Sequence, residues 1–181
     1  MDYALLTCRL LLGGIFVVSA ASKLRGRVAF REFESAARGM GAPARFLRPV
    51  AVAVVAVECL IPPLLLVPPG GLPGLLLSGA LLLVLTAALA GALRRGTRTS
   101  CACFGSSTAP VGRRHVARNA ALLAVVAAGV PMSLSGAPEL PAHPGGIATA
   151  AFAALVGGLL VVSLDALTAL LTDAPATPRE T

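Results

Sequence analysis

The stretch "ALLTCRLLLGGIFVVSAASKL", residues 4–24, decides the architecture. At about 1.5 Å per residue it reaches across roughly 30 Å of hydrocarbon. Two readings compete. "SAAS" at residues 19–22 resembles a small-residue cleavage site, which would make the run a signal peptide. No positive charge precedes the run, however, and a basic cluster follows it, the reverse of signal-peptide order. We therefore expect a retained transmembrane helix, with the mature chain starting at or next to Met1.

Composition extends that reading to the whole chain. Of 181 residues, 56% are hydrophobic and 13% charged, with a mean hydropathy of +0.86. Soluble domains carry about 25% charged residues, so a water-facing surface cannot be built from this composition. The net charge of +7 would suggest a nucleic-acid partner in a soluble protein. Here the arginines fall between apolar runs, where they act as topology signals, and the partner is membrane lipid.

Four further apolar runs follow, at residues 49–67, 72–93, 116–134 and 147–171. Backbone polar groups must be satisfied internally in lipid, so the runs are expected as helices. The fold class is all-α: one bundle of five transmembrane helices over residues 1–174 (four if the first is cleaved), with a polar tail at 175–181. Between the first two runs, a basic segment with Phe30, Phe33 and Phe46 predicts a short amphipathic helix near residues 28–38 at the membrane surface. Gly13, Gly14, Gly91, Gly157 and Gly158 are candidates for close helix approach.

Ionisable groups inside such runs are costly, at about 2.5 kcal/mol or more each, so each needs a reason. Arg9 lies in the first run, Glu58 in the second, Arg118 at the start of the fourth and Asp165 near the end of the fifth. The expected pairs are Arg9 with Glu58, by snorkelling, and Arg118 with Asp165, near one membrane face. A neutral, protonated Glu58 is the alternative for that site. Cys8 and Cys59, within apolar runs, read as small buried hydrophobes.

Cys101 and Cys103 differ. They stand in "TSCACFGSS", residues 99–107, with Arg94, Arg95, Arg98 and Arg113 nearby. Positive charge favours thiolate, the species that attacks disulfides and binds metals. A disulfide between residues two apart closes a small strained ring, suited to exchange rather than to stapling. Zinc needs about four ligands, and the loop offers two cysteines and His115. A soft ion such as Cu(I) would need only the two thiolates. Spacing alone leaves redox exchange, soft-metal carriage and an incidental turn all open.

"CACFG", preceded by an apolar helix and followed by "RHVARNAALL", resembles the MauE family of methylamine utilisation membrane proteins. The opening "RLLLGGIFVVSAASKL" resembles the start shared by MauE and the wider DoxX-like group, with Arg9 and Lys23 framing the helix and Glu58 matching the acidic residue of the second. The resemblance covers about residues 5–130, departs at Ser19 to Ser22, where a glycine would be expected, and fades in the last helix. It implies a role in maturing the disulfide-rich methylamine dehydrogenase small subunit, beside a thioredoxin-like partner, with a quinone as a candidate cofactor. On it the chain reads as a candidate thiol–disulfide or quinone-linked oxidoreductase. Cys101 and Cys103 would cycle, with Arg118 and Asp165 as candidate catalytic residues. The alternatives are a soft-metal or small-solute transporter and a non-catalytic maturation scaffold.

Lysine and arginine counts give an orientation. The segment after the first run and the cysteine loop are both arginine-rich, whereas the connections near residues 68–73 and 135–146 hold no Lys or Arg. This predicts an outside N-terminus and a cytoplasmic cysteine loop.

Overall fold

The computed structural model describes residues 2–66, 71–96, 113–135 and 143–172. The described residues form α1 (Asp2–Leu24), α2 (Arg27–Gly39), a 3₁₀ turn (Ala44–Phe46), α3 (Leu47–Leu66), α4 (Gly71–Arg94), α5 (Arg113–Leu134) and α6 (Pro144–Thr172). Five of them, all but α2 and the turn, are long and apolar enough to cross a membrane. The protein is an all-α, multi-pass membrane bundle.

The core lies between α1, α3, α4 and α5. Leu12, Phe16, Ile61, Leu65, Leu75, Leu82, Leu122 and Val126 bury one another there. Helix α1 packs against α3 on one side and α6 on the other, and also reaches α5. Helix α4 lies between α3 and α5. The arrangement is a four-helix bundle with α6 laid outside it against α1. Val17, Val52, Leu60, Leu83, Phe152 and Leu159 point outward, as lipid-facing residues do when hydrocarbon is the solvent.

Helix crossings depend on small residues, only some of them those expected. A side chain on Gly74 would meet the Leu65 amide nitrogen at 2.8 Å, so the α3–α4 hairpin closes there backbone to backbone. Gly157 sits against Leu11, but Gly13 and Gly14 have open space around them, and Gly91 meets only Arg95. The close contacts fall instead at Gly71, Gly74 and Gly146.

Helix α2 matches the expected amphipathic segment and is tied down. Phe33 buries against Ala51 and Val55 of α3. At its other end Arg95 Nη2 donates to the Met40 carbonyl at 2.8 Å. The chain then turns through Gly41, whose φ of 103° suits glycine.

Candidate functional site

Along α1, the residues Leu5, Arg9, Leu12, Phe16, Ser19 and Lys23 recur every three or four positions and are all buried. That spacing makes one face of a helix. The stripe carries three polar side chains into the bundle, and two of them converge on α3.

Lys23 Nζ donates to both carboxylate oxygens of Glu58 at 2.9 Å. Ser19 Oγ donates to Glu58 Oε1 at 3.0 Å, and Lys23 also reaches Ser19 Oγ at 2.7 Å and the Ser19 carbonyl at 3.2 Å. The ammonium lies 5.0 Å from the Phe33 ring centroid, a cation–π distance. Lys23 and Glu58 are each 2% exposed. A buried charge pair holds only when its remaining donors and acceptors are met, and Ser19 and Phe33 serve that end.

Glu58 therefore pairs with Lys23, and not with Arg9 as expected. Lys23, read from sequence as a topology charge, is a core residue. The signal for it was the helical spacing from Ser19, hidden in a run apolar on every side. Pro62 and Pro63 follow Glu58 within α3. Lacking N–H groups, they leave the Glu58 and Cys59 carbonyls without their intrahelical donors.

Next to this pair is a cavity of about 20 Å³ lined by Ser19, Glu58, Arg118, Asn119 and apolar side chains including Phe16 and Leu122. That is room for a water molecule. Arg118 is 7% exposed and Asn119 5%, so α5 brings a cation and an amide to the same cavity as the carboxylate. His115, at the start of α5, is buried too.

The ends of α4 and α5 that carry the cysteine loop lie on the same face as Lys23 and α2, by alternation of the spans. Cys101 and Cys103 themselves lie outside the described residues. Asp165 belongs to α6, but its side chain also lies outside them, as do those of Arg98 and Arg113. Arg95 is engaged with Met40. Cys8 is half-buried, and Cys59 is exposed on the outside of α3 rather than buried as expected.

Three cavities formed by described residues bear on whether a quinone could be held. The groove between α1 and α6, about 350 Å³ and lined by Leu11, Gly14, Ala154 and Leu155, has the volume but no polar donor. The cavity beside Glu58 has donors but holds only a water. A cleft of about 600 Å³ bounded by Arg27, Arg31, Arg48 and Glu34 has both, yet its charges suit an anionic group better than a neutral dione. None fits.

A family model described as methylamine utilisation protein MauE matches residues 1–134. That span ends with α5, so it coincides with the four-helix bundle and leaves out α6. The chain is also 36% identical over 162 residues to the methylamine utilization protein MauE of Paracoccus denitrificans, an alignment covering 83% of this chain and 86% of that one. No solved structure matches it.

Proposed function

The chain belongs to the MauE family, and from that membership we propose that it is a membrane-embedded thiol-exchange component serving methylamine utilisation. Its Cys101–Cys103 pair would act with a thioredoxin-like partner in maturing a disulfide-containing protein. The observation that carries the reading is the charged cluster of Lys23, Glu58, Ser19, Arg118 and Asn119, built on the face where α4 and α5 hold the cysteine loop. Buried charge is expensive in a membrane bundle and marks function by default.

The exchange needs no group beyond two thiol pairs. A partner thiolate attacks one sulfur of the Cys101–Cys103 disulfide, giving a mixed disulfide and a cysteine thiolate. The partner's second thiolate then attacks the mixed disulfide. The partner leaves oxidised by two electrons, and Cys101 and Cys103 are left as the dithiol. The reverse sequence returns two electrons to the partner and re-forms the Cys101–Cys103 disulfide. Arg98 and Arg113, the nearest flanking cations in sequence, favour the thiolate. Arg118 and Asp165 on α6 are the candidates for handling charge and protons nearby. No step is routed through a quinone.

Lysine and arginine distribution places the cysteine loop on the cytoplasmic side in this proposal. Removing the buried Lys23 from the count changes little. Arg25, Arg27, Arg31, Arg38 and Arg45 remain before α3, with Arg48 in its first turn, and Arg94, Arg95, Arg98, Arg113 and Arg114 flank the cysteines.

The test is a redox titration of the purified chain, with Cys101→Ser/Cys103→Ser as control. The expected result is a two-electron thiol couple between roughly −350 and −100 mV that the control lacks. Absence of such a couple in the wild type would end the redox reading and leave the soft-metal or small-solute transporter and the maturation scaffold.

A further inference from the structure

Arg9 is the third polar residue of the α1 stripe, and nothing above uses it. It is 5% exposed, about two helical turns into a spanning helix. Its Nε is buried without a hydrogen-bond acceptor. The single salt bridge among the described residues joins Lys23 to Glu58, so Arg9 has no carboxylate there. Fourteen positions separate the two cations, about 21 Å along the axis, so Glu58 cannot serve both.

The guanidinium lies against Gly71, the first residue of α4. A Cβ at Gly71 would overlap Arg9 Nη2, Cζ and Nε, so glycine keeps the space that the cation fills. Helix α4 is 24 residues long, and its opening amides have no intrahelical acceptor. Those of Gly71 and Leu72 are N–H donors, whereas Pro73 has none to give. A helix N-terminus carries about half a positive charge. A buried arginine and a helix N-terminus therefore meet, two positive features in one low-dielectric place. Neither compensates the other, and each alone favours an anion.

We propose that Arg9 and the first amides of α4 form a buried oxyanion-binding site, taking a phosphate or carboxylate group, on the face of the bundle opposite the cysteine loop. The guanidinium presents two donor edges to such a group in a planar fork. The backbone amides of Gly71 and Leu72 supply further donors. The oxyanion comes from a phospholipid headgroup of that leaflet or from a soluble anion.

Thermal unfolding of the purified full chain in neutral detergent tests this. Inorganic phosphate, acetate and a short-chain phosphatidylglycerol are each compared with chloride at equal ionic strength. The wild-type midpoint should rise with at least one of them beyond the chloride control. In Arg9→Gln the apparent affinity for that anion should fall roughly tenfold or more. Gly71→Ala keeps the charge but displaces the guanidinium, and should lose the response as well. A rise with phosphatidylglycerol alone assigns the site to a headgroup, and a rise with phosphate or acetate assigns it to a soluble anion. No rise beyond chloride in the wild type would overturn the site, whether or not either variant folds. An equal response in wild type, Arg9→Gln and Gly71→Ala would overturn it too.

Discussion

Lys23 at the end of α1 and Glu58 in the middle of α3 are held by two 2.9 Å hydrogen bonds from a single ammonium to both carboxylate oxygens. Each is buried to the same degree. Removing one partner leaves an uncompensated charge in the bundle. Lys23→Met and Glu58→Gln alone should each destabilise the protein by about 3–5 kcal/mol. The double change Lys23→Met/Glu58→Leu should recover much of that loss, because apolar side chains replace both charges. Unfolding in a denaturing-detergent titration reads the order. A double variant no better than the worse single one would refute the coupling.

Arg118 shares its cavity with Glu58, whereas the sequence suggested Asp165 as its partner. A double-mutant cycle of Arg118→Gln with Glu58→Gln should show an interaction term above about 0.5 kcal/mol, the level at which sites count as coupled. The same cycle with Asp165→Asn weighs the other partner directly. Additivity in both cycles would leave Arg118 acting through neither acid.

At Gly74 a methyl group would press on the backbone of Leu64 and Leu65. Gly74→Ala should therefore force α3 and α4 apart and cost about 1–3 kcal/mol, as overpacking does. Gly13→Ala, with open space around it, should be neutral or slightly stabilising through helix propensity. Comparing their unfolding midpoints checks both, and equal effects would contradict the close crossing.

Sidedness is decided by labelling. A membrane-impermeant maleimide should leave Cys101 and Cys103 unmodified in intact cells and label them after lysis under reducing conditions. Cys59, exposed on the outside of α3 among apolar residues, should resist the reagent in both. Labelling of the pair in intact cells would invert the proposed orientation and place thiol exchange on the outer side.

The five spans were legible because length and hydropathy alone fix them, and the observed helix limits lie within three residues of the apolar runs. Helix rotation was not legible. In α1 apolar residues occur on every face, so the pattern that separates core from solvent in a soluble helix is missing. The pairing of Arg9 with Glu58 was inferred from depth in the chain, while Lys23 was counted with the loop. Only packing against α3 shows that Lys23 turns inward. Gly13 and Gly14 were misjudged for the same reason, since nothing lies within 4 Å of where a side chain on either would begin. Glu58 itself was legible as exceptional, since a carboxylate within an apolar run must find a partner.

That partner also sets an order of events during biosynthesis. Helix α1 is made first, and Lys23, one residue from its end, can keep its ammonium at the headgroup level while it waits. Glu58 has no such refuge, because it is synthesised into the middle of α3, with eight apolar or proline residues before that helix ends. Entry of α3 into lipid alone carries the full cost of a carboxylate there. Entry beside α1 brings the ammonium with it. The second span is thus admitted by the first, and a nascent chain lacking Lys23 should stall with α3 accessible to protease from the ribosome's side.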